Sequence, residues 1–206
     1  MSKKYIKEEI LNTARRLFNQ RGYNEVSMRD IADALSISVG NLTYHYPRKE
    51  DLMEAVVLEM HRYYTPPTVP QSLPALNALF ARLQNNVQQN AFYFWHYTQL
   101  AQLSPVIHDI QTKVLQDHHA MLLGALQLFE SQGLVQPEAY KGHYTQLALA
   151  VKILCVYWEP HSHMSEGLPL PNDFLDCIWS VLIPVLTDEG REIYREKIQK
   201  VRIEIE

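Results

Sequence analysis

In the stretch Ser27-Met28-Arg29-Asp30-Ile31-Ala32-Asp33-Ala34-Leu35-Ser36-Ile37-Ser38-Val39-Gly40-Asn41-Leu42-Thr43-Tyr44-His45-Tyr46-Pro47, two short helical patterns are separated by a tight turn. Ser27 can cap the first, with Asp30 three residues on as a short version of the capping box. Met28, Ile31, Ala32 and Leu35 fall at i, i+3, i+4 and i+7, a one-sided apolar stripe. Ser38 can cap the second pattern, Val39 to His45, which Pro47 stops from continuing regularly. Helix, turn and helix at this spacing form a helix-turn-helix unit. The second of these helices is oddly composed for a core. It offers Asn41, Thr43, Tyr44 and His45, groups that donate, accept or lie flat on a sugar-phosphate strand, with Leu42 and Tyr46 as its anchors. Such a helix fits a DNA major groove, its N-terminal side chains meeting base edges. Gly40 costs about 1 kcal/mol of helix propensity relative to Ala, which a close approach of backbone to ligand would explain. The plainer alternative is a three-helix packing unit whose polar third helix faces water.

Outward from this unit the chain reads as helices throughout. Ile6, Ile10, Ala14, Leu17 and Phe18 predict a first helix over about Lys4 to Arg21, with Gly22 as its left-handed C-cap. Arg48-Lys49-Glu50-Asp51 opens a fourth helix over about residues 48–64, with Leu52, Ala55, Val56 and Met60 inward. Four prolines between Thr65 and Pro74 remove donors and fix φ, so that stretch reads as a linker. Leu76, Leu79, Phe80, Leu83 and Val87 mark a fifth helix, and Phe92 to Leu103 a sixth. Ser104-Pro105 opens a seventh that can run to Gln132 before Gly133. An eighth is expected over about Glu138 to Trp158, terminated by Pro160, and a ninth over about Asn172 to Leu186, its last turn kinked by Pro184. Thr187 can cap a final charged helix with Ile193, Ile198 and Val201 on one face. The predicted fold is all-α, about nine to ten helices in total. A helix-turn-helix domain over residues 1–50 precedes a larger helical domain over 51–206, with helix four joining them.

Composition agrees: 47% of the 206 residues are apolar and there are 7 glycines, which favours helices over sheet or disorder. No apolar run approaches the roughly 18 residues of a membrane span. The N-terminus lacks the apolar core of an export signal, so a cytoplasmic location is expected. The net charge of −4 argues against nucleic acid until its distribution is seen. Residues 1–51 hold 9 Lys and Arg against 7 Asp and Glu, and the remainder 10 against 16, a basic head on an acidic body. Cys155 and Cys177 sit in apolar helical patterns, where free thiols behave as small hydrophobes.

The runs Ser27-Met28-Arg29-Asp30-Ile31-Ala32, Leu35-Ser36-Ile37-Ser38-Val39-Gly40-Asn41-Leu42 and Tyr44-His45-Tyr46-Pro47-Arg48-Lys49-Glu50-Asp51-Leu52 stand in an order and spacing that resembles the TetR family of bacterial regulators. The match is specific over about residues 6 to 60. The resemblance implies that Ser27 and Arg29 touch phosphates, that Ser38, Val39, Gly40, Asn41, Thr43, Tyr44 and His45 face the groove, and that Lys49 clamps a phosphate. Thr43 stands where the family commonly has tyrosine, and Val39 where a basic residue is frequent, so operator sequence does not transfer. Phe92-Tyr93-Phe94 and Trp158 resemble a recurring C-terminal subtype of these regulators.

The resemblance further implies a homodimer on a palindromic operator, released by a small-molecule effector. Helices eight and nine would pair with their copies, and Leu147, Val151, Leu154, Leu175, Ile178, Trp179 and Leu182 are the candidate interface. The aromatic run Phe92 to Tyr97 exceeds what one core-facing stripe can use. Candidate effector-binding residues are therefore Phe94, His96, Tyr97 and Leu100, with His118, Met121, Tyr157 and Trp158, for an apolar or aromatic molecule. No cofactor, metal ligand set or catalytic constellation is expected. Among the rival readings, a metal-dependent enzyme or metal sensor would use His118, His119, Glu159, His161 and His163. But adjacent helical residues point about 100° apart, unlike an i, i+4 pair that can share a metal. The other rival is a helical interaction module without DNA binding.

Overall fold

The computed structural model describes residues 3–165, 167 and 173–200. Among these residues the chain forms α1 (Lys3–Arg21), α2 (Met28–Ala34), α3 (Val39–His45), α4 (Lys49–Met60), α5 (Leu73–Gln89), α6 (Ala91–Trp95), α7 (Tyr97–Leu103), α8 (Pro105–Ser131), α9 (His143–Met164), α10 (Phe174–Leu182) and α11 (Asp188–Tyr194). A 3-10 turn at Ile183–Val185 and a π turn at Arg195–Gln199 complete the helical elements, and Val135 and Leu186 form an isolated β-bridge. The fold is all-α, as the periodicity predicts. Two compact units divide the chain: Met1–Thr65 with Gln89–Lys113, and Pro66–Gln88 with Val114–Glu206. The first therefore holds α6 and α7 as well as α1 to α4.

In the first unit α1 buries Ile10, Ala14, Leu17 and Phe18 against α4, α2 and α6. Phe18 meets the ring of Tyr23 at 5.5 Å and that of Phe92 at 5.7 Å. Gly22, at φ +80, closes α1 by donating its N–H to the Phe18 carbonyl, the left-handed cap expected there. Asn19 reaches from α1 to the α5–α6 junction, donating to the Gln89 carbonyl and accepting the Phe92 N–H. The expected sixth helix is interrupted at His96, whose backbone leaves helical geometry at φ −113, ψ 20. That break gives two short helices in place of one, and eleven α-helices among the described residues where nine to ten helices were predicted.

The second unit is built around Phe80, Phe129, Tyr144, Phe174 and Trp179, all essentially fully buried. Trp179 donates its indole N–H to Asn77 Oδ1 at 2.9 Å and lies 4.9 Å from the ring of Tyr194. Cys155 is a buried free thiol whose pKa burial pushes up to about 12. Two boundaries here differ from expectation. First, α9 starts at His143, after Gly142 at φ +88, because the Glu138 carboxylate accepts the Tyr144 N–H at 2.8 Å and acts from outside the helix. Second, α9 runs through Pro160 to Met164, which places His161 and His163 in its last turn. Only one turn follows Pro160, so its missing N–H disturbs just the end of the helix. Pro184 does bend the end of α10, into the 3-10 turn. The expected start at Asn172, the prolines 169 and 171, and Val201 lie outside the described residues. No helix among the described residues is long and apolar enough to cross a membrane.

Candidate nucleic-acid interface

The helix-turn-helix is fixed by its caps. Ser27 accepts the Asp30 N–H, while Asp30 Oδ2 accepts the Ser27 N–H at 2.7 Å and its hydroxyl at 2.5 Å, closing the capping box read from the sequence. Arg21 adds an ion pair to Asp30 at 3.2 Å. These partners, the Ser27 hydrogen bonds before Arg21, hold the Asp30 carboxyl down at about 2. The turn passes through Ser36 at φ +54, a left-handed position occupied by a residue other than glycine. Ser38 Oγ then accepts the Asn41 N–H at 3.1 Å and starts α3.

α3 is anchored by Leu42, which is fully buried, and presents the rest outward. Ser38, Val39, Gly40, Asn41 and Tyr44 are exposed, Tyr44 at 72%, while Thr43 and His45 are half-buried. Tyr44 stands edge-on to His45 with ring centroids 5.3 Å apart. Thr43 donates its hydroxyl back to the Val39 carbonyl at 3.0 Å, which leaves its methyl and the acceptor lone pairs of its oxygen. A β-carbon at Gly40 would meet only Ser38 Oγ, at 3.9 Å, leaving open space over the first turn.

Flanking this surface, Arg29 is exposed. Ser27, also exposed, donates its hydroxyl to Asp30 in the absence of DNA. Lys49 at the start of α4 is half-buried: its ammonium lies 4.2 Å from the centre of the Tyr23 ring and donates to the Asn24 carbonyl at 3.4 Å. Burial lowers its pKa, against the carboxylates of Glu50, Asp30 and Glu25. Asp51 accepts the Arg48 backbone N–H at 3.0 Å and forms an ion pair of 2.6 Å with its guanidinium.

The candidate effector residues fall in both units. Phe94, His96, Tyr97 and Leu100 belong to the first, where Leu100 is fully buried and Phe94 stacks on Tyr97 with centroids 6.3 Å apart. Both ring nitrogens of His96 are engaged by protein: Nε2 accepts the Tyr23 N–H at 3.3 Å and Nδ1 pairs with Gln99 Oε1 at 2.9 Å. His96 thus links the break after α6 to the α1–α2 turn. In the second unit Met121 is core, Trp158 packs on Phe174 with centroids 5.8 Å apart, and His118 is half-buried, its pKa lowered by burial. Tyr157 is 49% exposed and faces away from that core.

The candidate pairing residues all belong to the second unit. Leu147, Val151, Leu175, Ile178, Trp179 and Leu182 are buried in the chain's own core, and Leu154 packs against it. Besides Met164 in its last turn, the exposed large apolar residues of α9 are Leu149, Ile153 and Tyr157, four residues apart and 48–51% exposed. Helical periodicity places them on one stripe. Among the described residues, no three His, Cys, Asp or Glu side chains group so as to hold a metal ion.

A family model described as bacterial regulatory proteins, tetR family, matches residues 10–56. Over 50 residues the chain is 40% identical to the HTH-type transcriptional regulator UidR of Escherichia coli (strain K12), a stretch covering 24% of this chain and 26% of that protein. The chain thus matches about a quarter of that relative's length. The whole fold is similar to a TetR-family transcriptional regulator from Marinobacter aquaeolei VT8, with a TM-score of 0.80, 21% identity, and 99% of this chain and 98% of the other covered. A protein described as a transcriptional regulator from Saccharomonospora viridis, solved in complex with choline, gives a TM-score of 0.66 at 17% identity, covering 90% and 100%.

Proposed function

We propose that this chain is a member of the tetR family of bacterial regulatory proteins, whose model matches residues 10–56, and a cytoplasmic transcription regulator that binds a palindromic operator as a homodimer. The observation that carries this reading is α3: a short helix anchored by the fully buried Leu42 and presenting Asn41 and Tyr44 to solvent. Val39, Gly40, Asn41, Thr43, Tyr44 and His45 then read base edges, while Arg29 and Lys49 neutralise phosphates on either side.

One such helix reads few base pairs, each worth about 1–3 kcal/mol of discrimination. A second copy reading the other half of a palindrome roughly doubles that, provided the two α3 helices lie about 34–36 Å apart or a multiple of it. Leu149, Ile153 and Tyr157 on α9 are the surface we assign to pairing, because they form an apolar stripe that the chain's own core leaves uncovered. A small apolar or aromatic effector that prefers a shape with mis-spaced reading heads releases the DNA by population shift, by no more than its differential affinity for the two shapes. The choline found in a distant structural relative makes small organic ligands a reasonable class to screen. Occupancy of a promoter operator by such a dimer represses transcription.

Fluorescence anisotropy on a duplex selected from a random pool by the full chain tests this reading. Affinity should fall with salt at a log–log slope of several units, and Lys49→Ala should reduce that slope by about 1 per protomer. Binding that ignores salt, or that survives Tyr44→Ala and Lys49→Ala unchanged, would overturn it.

A further inference from the structure

The α1–α2 turn is held from a part of the chain that is remote in sequence. His96, in the break between α6 and α7, accepts the Tyr23 N–H on Nε2 at 3.3 Å and pairs its Nδ1 with Gln99 Oε1 at 2.9 Å. Gln99 in turn donates its amide to Asn24 Oδ1 at 3.2 Å. The proton inventory is consistent with one arrangement only: Nδ1 carries the imidazole proton and Nε2 accepts. His96 and Gln99 therefore grip two successive residues, Tyr23 and Asn24. Lys49 rests on the same two residues, over the Tyr23 ring at 4.2 Å and on the Asn24 carbonyl at 3.4 Å.

His96 also packs on the turn: a β-carbon on Gly22 would make an ordinary van der Waals contact with His96 Nε2 at 3.6 Å, and the Tyr23 and His96 rings are edge-on with centroids 6.3 Å apart. A flexible lysine at the end of four methylenes loses much of its freedom when its ammonium has a fixed ring and a fixed carbonyl to rest on.

From this chain of contacts we infer that His96 and Gln99 are positioning residues for the phosphate contact of Lys49. They fix the Tyr23-Asn24 backbone on which the Lys49 ammonium is aimed, so that a change in the α6–α7 break is read out as a loss of DNA affinity without touching the base-reading helix. The inference rests on the DNA-binding reading above and names the contact through which that site is controlled.

The test uses the full-length chain and the selected duplex, with anisotropy titrations across salt. His96→Phe keeps a ring but removes both hydrogen bonds, while His96→Gln puts an oxygen within reach of the Tyr23 N–H. The expected result for His96→Phe is about a tenfold loss of affinity and a salt slope flatter by about two per dimer, one for each Lys49. His96→Gln should restore most of both. In a Lys49→Ala background the His96→Phe change should have little further effect, since the contact it positions is already gone. A His96→Phe protein with the wild-type slope, an equal loss in the Lys49→Ala background, or a His96→Gln protein no better than His96→Phe would each overturn the inference while leaving DNA binding itself intact. Should His96→Phe fail to fold, Gln99→Ala releases Asn24 and is read by the same criteria. Failure of the wild-type chain to bind any duplex would overturn both this inference and the reading beneath it.

Discussion

Gly190 in α11 lies directly over the carbonyl of Leu134, so close that a β-carbon built on Gly190 would fall on the Leu134 oxygen. The approach closes a small knot in the second unit. The Leu134 carbonyl accepts the Thr187 N–H at 3.0 Å, and Thr187 Oγ1 both donates to the Gly133 carbonyl at 2.7 Å and accepts the Gly190 N–H that caps α11. Because backbone rather than a side chain occupies the space, nothing can swing aside. Gly190→Ala should therefore cost about 2–3 kcal/mol, the upper range for overpacking. For a chain of this size that lowers Tm by about 4–12 °C, measurable by calorimetry.

The capping box of α2 sets an acid limit on the helix-turn-helix unit. Asp30 is held at about 2 against an ordinary 3.8, chiefly by the Ser27 hydrogen bonds. A carboxyl lowered on folding stabilises the native state fully above its unfolded value and loses that contribution as pH falls through its folded value. The stability difference between wild type and Asp30→Asn should be present at neutral pH, shrink below about pH 4 and vanish near pH 2. Thermal melts of the two proteins across that range check it.

Gly40 separates stability from function. A β-carbon there meets only Ser38 Oγ at 3.9 Å, so Gly40→Ala is sterically free in the unbound protein. It should raise stability by about 0.5–1 kcal/mol through helix propensity. If the helix backbone approaches DNA at this point, the same methyl lowers operator affinity by about tenfold, roughly 1.4 kcal/mol. A Gly40→Ala protein that melts higher and binds equally well would show that the first turn of α3 stands off the duplex.

Leu149 and Ile153 should behave unlike their neighbour Val151. The first two are about half exposed, so Leu149→Glu with Ile153→Glu should leave the monomer folded, with Tm little changed. Sedimentation should show the paired form weakened by at least about 100-fold, as expected when several kcal/mol of apolar contact are replaced by buried charge. Operator binding should fall with it. Val151→Glu buries a charge in the core, where Val151 is 1% exposed, and should unfold the second unit instead.

The sequence by itself determined everything whose cause lies within a few residues. Ser27 with Asp30, Ser38 with Asn41, Gly22 after Phe18 and Pro184 at the end of α10 are local hydrogen-bond or φ constraints, and each was legible because cap and capped group are three or four positions apart. The apolar period likewise fixed the all-α class. Tertiary structure alone decided which apolar residues face inward. α9 is apolar nearly all round, so Leu147 and Val151 in the core and Leu149 and Ile153 at the surface carry the same signal in sequence and differ only in what packs against them. The same holds for the pairs that lock each unit. His96 meets Tyr23 across 73 residues, Ser104 meets Glu54 across 50, and Trp179 meets Asn77 across 102. Nothing in local spacing encodes such a partner, because its position is set by how whole helices cross, and that is fixed only when the core is packed.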